Sequence, residues 1–381
     1  HTDTEVIVHL YEEYGDDLVH HLRGMFAFAV WDIPRKRGLL ARDRLGIKPL
    51  FYAQVDDTLL FGSELKAILA TNLIQRELDY QALDAFFTFT YIPAPLTIYR
   101  NIRKLEPGHL LTYEARRIEK RRYWNVDFAA VDAQADDRIW LERFGQAIEE
   151  AISSHLVSDV PLGAFLSGGV DSSLVVALMS RHLNEPVQTF TMGFGGARNP
   201  LLDERPLAKS VAERYGCQFH EYAVQPDFRK IVGEIVDAFD EPFADDSVIP
   251  SYYVSQFTRQ QVKVALSGLG GDELFAGYER YSGVWLSQYY SRLIPEGLHR
   301  RFIQPLVQCL PEPAHGGDRV NHAKRFATAA LQSPAERYLG FISTITGPER
   351  RQLFASPIAH HIDFGATDRI ITELFEQCKA P

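Results

Sequence analysis

The residues best suited to chemistry lie in the hexapeptide Ser167-Gly168-Gly169-Val170-Asp171-Ser172, which follows an apolar run and begins a helical pattern. Its two adjacent glycines let backbone N–H groups surround an anion, and the start of a helix adds the positive end of a dipole. A carboxylate beside a phosphate is repelled unless a divalent cation lies between them, so Asp171 predicts Mg²⁺ bound with a nucleotide. The competing interpretation is a serine-glycine turn in which Asp171 is an ordinary helix N-cap.

A second glycine motif, Ser267-Gly268-Leu269-Gly270-Gly271-Asp272-Glu273, follows another apolar run. Its three glycines allow the backbone to pass close to a nucleotide. Asp272 supplies a further oxygen ligand, so Asp171 and Asp272 are predicted to share Mg²⁺. The motif fails as a dinucleotide fingerprint because Glu273 stands where GxGxxG requires its third glycine. The alternative is a glycine-rich helix start.

Apolar runs and helical patterns alternate around both motifs. Strands are predicted at 161–166, 187–192, 218–223 and 262–266, with helices at 139–155, 172–183 and 203–215 and two more between 228 and 260. This alternation predicts a parallel, doubly wound sheet whose ligand lies at the carboxyl ends of the strands, where the strand order reverses. Both motifs fall at such ends. From residue 281 onward the pattern is helical and interrupted by prolines.

The first 128 residues favour antiparallel strands instead. The nearly continuous apolar segment 24–32 predicts a strand buried on both faces, which turns at 34–38 into a second strand. Further hairpins are predicted around 56–57 and between 108–113 and 118–124, with helices beginning near 6, 63 and 79. Segment 129–138 is small, acidic and without apolar periodicity, so it is predicted to link a first domain, 1–128, to a second, 139–381.

Composition limits the class of protein. At 381 residues the chain suggests two domains, and its net charge of −10 argues against nonspecific binding to nucleic acid or anionic membranes. No apolar run approaches the length of a membrane span. Cys217, Cys309 and Cys378 are widely spaced and form no CxxC pair, which argues against disulfides and zinc and favours a reducing cytoplasm.

Three charged segments allow more than one interpretation. Segment 42–52 is dense in charge within apolar flanks and suggests buried ion pairs at a turn. The basic run 116–122 is interrupted by acidic residues, so a solvated hairpin is preferred to a nucleic-acid patch. Carboxylates at 240–241 and 245–246 suggest a second metal cluster, but helix caps and first-turn dipole partners are preferred.

The hexapeptide at 167–172 resembles the pyrophosphate loop of the ATP-pyrophosphatases, which cleave ATP between its α- and β-phosphates to adenylate a substrate. The motif at 267–273 resembles the second ATP signature of the asparagine synthetase family of glutamine amidotransferases. Segments 2–7, 24–32, 42–52 and 61–64 resemble the family's amidotransferase domain, an N-terminal-nucleophile glutaminase fold. The resemblance implies an α/β plus α+β protein, with a partial glutaminase domain before a doubly wound ATP-pyrophosphatase domain.

The resemblance also implies roles for individual residues. Asp3 would hold the α-amino group of glutamine, although it is also a candidate N-cap for the first helix. Mg²⁺ would bind Asp171 and Asp272. Ammonia from glutamine would be joined to a small carboxylate acceptor through an acyl-adenylate, with aspartate as the leading acceptor. ATP would contact Leu166 and Met192 at the adenine, Ser267 and Gly268 at the ribose, and Ser167, Gly168, Gly169, Asp171 and Ser172 at the phosphates.

The sequence departs from the family pattern at two places. Glutaminases of this class use an N-terminal cysteine as nucleophile, but His1 occupies position one and all three cysteines lie far downstream. We therefore expect a fragment, truncated at both ends, that hydrolyses no glutamine. Leu269 lies in the acceptor pocket where the family usually carries a glutamate, and a leucine cannot accept a proton. Because Leu269 replaces this glutamate, two other reactions stay open, amidation of another carboxylate and closure of a lactam. A regulatory nucleotide-binding module and a homodimer also stay open.

Overall fold

The computed structural model describes residues 2–128, 136–194, 203–225, 227–311 and 318–378. The chain forms two compact units. Unit 1 comprises the described residues of His1–Ala130, Val236–Ala244 and Arg300–Pro381, and unit 2 those of Val131–Ile235 and Asp245–His299. Most of the predicted linker, 129–135, lies outside the described residues, and the helix after it begins at Asp137.

The N-terminal part of unit 1 contains two antiparallel sheets. Its elements are α1 (Asp3–Tyr14), a 3-10 helix (Gly15–His20), β1 (Ala27–Asp32), β2 (Arg37–Arg42), β3 (Phe51–Val55), β4 (Thr58–Gly62), α2 (Leu65–Leu69), α3 (Tyr80–Phe89), β5 (Arg103–Lys104), β6 (His109–Glu114) and β7 (Arg117–Arg122). The sheets have the orders β1-β2-β6-β7 and β4-β3-β5. The predicted hairpins are confirmed at β1–β2, β3–β4 and β6–β7.

The prediction that segment 24–32 is buried on both faces is wrong. β1 is an end strand of its described sheet, and Trp31 on it is 55% exposed. The neighbouring strand β2 is covered on both faces, because Leu39 and Ala41 belong to one apolar cluster and Leu40 to another. Successive side chains of a strand point to opposite faces, so β2 is the strand that requires a continuous apolar pattern.

The charged turn after β2 is held by backbone hydrogen bonds. Asp43 is buried, and its carboxylate accepts the backbone N–H groups of Phe26, Leu45, Ile47 and Lys48 at 2.9–3.3 Å. The Arg42 guanidinium donates to the carbonyl oxygens of Gly46, Lys48 and Leu105 at 2.6–2.8 Å. The buried ion pairs predicted for segment 42–52 are therefore wrong for buried Asp43 and part-buried Arg42, since main-chain groups satisfy both charges among the described residues.

Unit 2 is built around a parallel sheet of order β10-β9-β8-β11. Its elements are α4 (Asp137–His155), β8 (Leu162–Phe165), α5 (Val170–His182), β9 (Gln188–Phe194), α6 (Arg205–Arg214), β10 (Gln218–Val224), α7 (Phe228–Phe239, whose last turn groups with unit 1), α8 (Val248–Thr258), β11 (Val264–Leu266), α9 (Gly271–Phe275), α10 (Glu279–Leu293) and α11 (Glu296–Leu298). Each described strand pairing is parallel, which confirms the predicted doubly wound arrangement. Apolar side chains of α4, α5 and α6 pack with those of β8.

The C-terminal part of unit 1 is helical, as predicted. After a π-helical turn (His299–Ile303) it comprises α12 (Gln304–Gln308), α13 (Asp318–Ala329), α14 (Pro334–Ile342), α15 (Gly347–Leu353), α16 (Ser356–Ala359) and α17 (Phe364–Gln377). Phe89 and Ala85 of α3 pack in one apolar cluster with Ile371 of α17. Among the helices that the structure describes, none has both the length and the apolar character that a membrane crossing requires.

Candidate nucleotide-binding site

The two glycine motifs follow neighbouring strands of the parallel sheet. The chain passes from β8 to β9 to β10 on one side of β8, and β11 pairs with β8 on the other side. The strand order therefore reverses between β8 and β11. Loop A (residues 166–169) leaves the carboxyl end of β8, and loop B (residues 267–270) leaves that of β11. The predicted placement of both motifs at the reversal is confirmed, and open α/β sheets bind ligands in the crevice at such a point.

Loop A is closed by hydroxyl groups of its own serines. Ser172 Oγ accepts the N–H of Ser167 at 3.2 Å and lies 2.9 Å from Ser167 Oγ. Ser167 Oγ also accepts the N–H of Gly169 at 3.2 Å. In the first turn of α5, Ser173 Oγ is buried with no hydrogen-bond partner among the described residues. The loop conformation is thus set by internal contacts, and Ser173 is the hydroxyl left for a ligand or water.

Two glycines, one in loop A and one in loop B, allow close approaches to neighbouring backbone. Gly168 has a φ of +81°, and a Cβ atom there would lie 2.8 Å from the backbone nitrogen of Ala208 in α6. A Cβ atom at Gly268 of loop B would lie 2.8 Å from the backbone nitrogen of Ser172. Loop A is therefore packed against the first turn of α6, and loop B against the first turn of α5, and neither contact leaves room for a side chain.

Asp171 is not a helix cap. Helix α5 begins at Val170, its N-cap residue is Gly169, and no side chain caps it. The N-cap interpretation is therefore wrong. The carboxylate of Asp171 lies against Gly271 instead, so closely that a Cβ atom at position 271 would overlap it. Asp272 follows Gly271 directly in the chain, but its carboxylate lies against Gly277. The sharing of Mg²⁺ by Asp171 and Asp272 therefore stays a prediction.

The few carboxylates near the two motifs are sufficient for Mg²⁺ that arrives with a nucleotide. The described residues contain no group of three His, Cys, Asp or Glu side chains arranged to hold a metal on their own. Mg²⁺ is usually held by one or two carboxylates together with substrate phosphates and water, so a two-carboxylate site is sufficient. The glycine-rich helix start, offered as an alternative for the second motif, also describes α9, whose N-cap Gly270 has a φ of +97°.

The other predicted nucleotide contacts differ in accessibility. Leu166 is buried, its N–H donates to the Phe190 carbonyl at 3.0 Å, and its carbonyl accepts Thr191 Oγ1 at 2.6 Å. Met192 lies near the carboxyl end of β9, on the strand that pairs with β8. Leu269 is 91% exposed at the tip of loop B, and its N–H donates to Ser267 Oγ at 3.4 Å. Leu269 thus makes no buried contact that a substitution would break.

Sequence reasoning missed Tyr278, which follows α9. Its hydroxyl donates to Glu273 Oε1 at 2.8 Å, and the Arg280 guanidinium lies 4.8 Å from the ring centre. The hydrogen bond to Glu273, aided by burial and the charges of Glu273 and Asp272, raises the pKa of Tyr278 to about 12. The phenol therefore keeps its proton at neutral pH. Only its nearness in sequence to the second motif could have pointed to it.

Asp3 is exposed in the first turn of α1 in unit 1. The cap of this helix is Thr2, whose hydroxyl accepts the N–H of Glu5 at 3.2 Å, so the interpretation of Asp3 as the N-cap is wrong. Its carboxylate accepts the N–H of Thr4 at 2.9 Å. The three cysteines are free thiols, and burial raises the pKa of Cys217, which keeps that thiol protonated.

The carboxylates at 240–241 form ion pairs within unit 1. Lys66 Nζ lies 3.1 Å from Asp240 Oδ1, and Lys104 pairs with Glu241. Asp240 also accepts the N–H of Lys66 in the first turn of α2 at 3.0 Å. The preference for helix caps is therefore wrong for Glu241 only, and the metal-cluster alternative is not supported in the described residues. Asp245 accepts the N–H of Ser247 at 2.8 Å before α8, in line with a helix start.

Three basic side chains of the β6–β7 hairpin also form ion pairs. Arg116 lies 2.5 Å from Asp57, Arg121 lies 3.3 Å from Asp17, and Lys120 pairs with Glu106. These acidic partners offset the positive charge of the hairpin.

The parallel sheet with a reversal point and the paired antiparallel sheets define an α/β plus α+β protein. Two family models match the chain: Asparagine synthase over residues 143–356 and Glutamine amidotransferase domain over residues 1–124. The chain therefore belongs to the asparagine synthase family, and the predicted fold class and family resemblance are confirmed.

Relatives from bacteria and archaea agree with this assignment. Asparagine synthetase [glutamine-hydrolyzing] 1 of Bacillus subtilis is 34% identical over 92% of this chain and 54% of its own length. A relative from Methanocaldococcus jannaschii is 38% identical over 73% of this chain and 54% of its own length. The chain spans about half the length of the curated relatives it matches. The solved glutamine-dependent NAD+ synthetase of Acinetobacter baumannii aligns over 72% of this chain and 66% of its own chain. The TM-score is 0.28 and the identity 12%, so no function is inferred from this likeness.

Proposed function

We propose that the whole protein is a glutamine-dependent ligase that activates a carboxylate with ATP and converts it to an amide. The observation that carries the proposal is the packing of the second motif against the first turn of α5 at the strand reversal, where Gly268 lies against Ser172 and Gly271 against the carboxylate of Asp171. Family membership supports it. The proposal assigns the glutaminase role to 1–128 and the synthetase role to 139–381, joined by 129–138.

The proposed reaction has two steps. An oxygen of the acceptor carboxylate attacks the α-phosphorus of ATP, the bond to the β-phosphate breaks, and pyrophosphate leaves. Ammonia then attacks the acyl carbon, AMP leaves, and the nitrogen loses a proton to give the amide. Neither step requires a covalent bond to the protein, so positioning and charge neutralisation are the protein's contribution.

The N-terminus of α5, which follows loop A, suits the phosphates because no side chain caps the N–H groups of its first turn. Mg²⁺, when bound, would neutralise the departing pyrophosphate, and Asp171 and Asp272 would hold it. Met192 would contact the adenine, and Ser267 and Gly268 the ribose. Leu166 would contribute apolar packing beneath the base, because its backbone groups are already bonded in unit 2.

The site of cleavage in ATP is the direct test. We expect the full-length protein, given Mg²⁺, ATP and a carboxylate acceptor, to incorporate labelled pyrophosphate into ATP, because the first step is reversible and releases pyrophosphate. AMP should accumulate when ammonia is added. Formation of ADP and orthophosphate would overturn the assignment of attack at the α-phosphorus.

The acceptor is aspartate as the leading case, and Leu269 is the reason to test others. Leu269→Glu should leave folding and ATP affinity unchanged, because the side chain at 269 is exposed in the free chain. With the natural acceptor, amide formation should fall about 10- to 100-fold, because the new charge loses water without gaining a partner. Product formation from a panel of carboxylates including aspartate, beside ATP titration by calorimetry, measures both effects.

Leu274→Glu is the matched control, since Leu274 on α9 is also an exposed leucine. It should leave amide formation unchanged. If the unaltered protein makes asparagine best and Leu269→Glu is merely faster, the proposal of a different acceptor is wrong and the substitution at 269 is simply tolerated.

The glutaminase role is assigned to the first domain, 1–128. Asp3, exposed on α1, would bind the α-amino group of glutamine. A reducing, cytoplasmic location is consistent with three free thiols.

A further inference from the structure

Arg205 lies across the backbone at the end of β9. A Cβ atom at Gly193 would lie 2.5 Å from Arg205 Cδ and 2.8 Å from Arg205 Cζ, so the arginine can occupy this place only because residue 193 is glycine. Gly193 follows Met192 directly and lies on the strand that pairs with β8. The guanidinium is thus beside the carboxyl edge of the sheet where loops A and B begin.

The same arginine is tied to loop A through its helix. Arg205 is the first residue of α6, and Gly168 of loop A is packed against Leu207 and Ala208 in the first turn of that helix. The side chain therefore begins beside the loop assigned to the phosphates and ends over the backbone next to Met192, which is assigned to the base.

Asp203 fixes the orientation of the guanidinium. Arg205 Nε and Nη2 both donate to the Asp203 carboxylate at 2.8 Å, and the backbone N–H of Arg205 donates to the same carboxylate at 3.2 Å. The hydrogen bonds to Asp203 raise the pKa of Arg205, so the group stays charged. Asp203 thus occupies the Nε–Nη2 edge, one of the two edges with which a guanidinium can grip a phosphate. The side chain is 25% exposed, and its planar group lies along the backbone at Gly193.

We propose that Arg205 is a base-binding residue that stacks its guanidinium face on the purine ring of the nucleotide. The inference rests on the proposed function, since it places a purine nucleotide at this crevice. A planar cation binds an aromatic face through its electrostatic quadrupole, and a lysine ammonium has no such plane. Asp203 and Gly193 act as positioning residues for this contact.

The test compares ligands with and without a base. Calorimetric titration with Mg²⁺–ATP and with Mg²⁺–tripolyphosphate is carried out on the unaltered protein, on Arg205→Lys and on the control Arg214→Lys at the other end of α6. Arg205→Lys should weaken ATP binding by about 3- to 30-fold and leave tripolyphosphate binding unchanged. Asp203→Asn should weaken ATP binding less, because the guanidinium remains but is no longer held. The control should match the unaltered protein.

Each other outcome has a definite meaning. Equal losses for ATP and tripolyphosphate in Arg205→Lys would make Arg205 a phosphate contact and overturn the stacking. Unchanged ATP binding would exclude a role in binding while leaving the proposed function intact. Failure of the unaltered protein to bind ATP or tripolyphosphate would instead overturn the proposed function, and this inference with it. Far-UV circular dichroism of each variant shows that the fold is retained.

Discussion

Asp171→Asn should lower the rate of pyrophosphate exchange by about 10²- to 10³-fold, the usual effect of removing one group that stabilises developing charge. The residue is suited to this test because it does not cap α5, so its loss should not weaken the helix. The amide keeps the size of the side chain but removes the negative charge that would hold Mg²⁺. Exchange should be measured in the full-length protein over a range of Mg²⁺ concentrations.

Glu185→Gln is the matched control, because Glu185 is an exposed carboxylate between α5 and β9. It should exchange pyrophosphate at the unaltered rate. Gly271→Ala tests the Asp171 carboxylate in a second way, since the added methyl group would overlap this carboxylate and force it to move. Its loss of exchange should be partly overcome by excess Mg²⁺. Full exchange by Asp171→Asn at low Mg²⁺ would remove Asp171 from the metal site.

The sequence could predict loops A and B because each is a local signal. An apolar strand, a glycine turn and a helix start are contained within about a dozen residues, and the reversal of strand order follows from the alternation of elements. Arg205 could not be found in this way. Its role depends on contact with Gly193, and nothing in either local sequence indicates that an arginine side chain will lie over that glycine.

Burial was harder to predict than secondary structure. The strand pattern located both β1 and β2, but which of them lies inside the sheet depends on the pairing of β2 with β6, where Leu40 pairs with Leu111 far along the chain. The same limit applies to Asp43. A charged turn in the sequence indicates buried charge, yet only the folded backbone shows that four N–H groups converge on that carboxylate.

Arg350 is the clearest case of a contact that sequence reasoning could not supply, and it carries the largest expected effect on stability. Its side chain is 1% exposed and that of Asp84 on α3 is fully buried. Arg350 Nε donates to Asp84 at 2.9 Å, Nη2 donates to Asp368 at 2.8 Å, and Nη1 donates to the Ile345 carbonyl at 3.2 Å. Thr367 Oγ1 donates to the other oxygen of Asp84 at 2.5 Å. This network joins α15 and α17 to α3.

Arg350→Met should destabilise unit 1 by about 3–5 kcal/mol, because it leaves the Asp84 carboxylate buried without its cation. Urea unfolding, followed together with hydrogen exchange of α3 and α17, measures the loss and locates it. Arg351→Met is the matched control, since Arg351 is the exposed neighbour on α15. Its effect should be small. The double variant Asp84→Leu/Arg350→Met should recover most of the stability, because replacing both charges by apolar groups removes the unpaired carboxylate.

The pH dependence of the Arg350→Met loss provides a separate test of the same network. Burial raises the pKa of Asp84, while Thr367 and Arg350 oppose the rise. In the folded state this carboxyl group has a pKa above its value of about 3.9 in the unfolded state. The protonated group therefore adds to the free energy of unfolding below the unfolded-state pKa, and this contribution is lost as pH rises through the folded-state pKa. Removing Arg350 raises the folded pKa further, so the cost of Arg350→Met should be smaller at about pH 5 than at about pH 8. A cost that is the same at both pH values, or larger in acid, would show that lost packing of the arginine and not an unpaired Asp84 carboxylate causes the destabilisation.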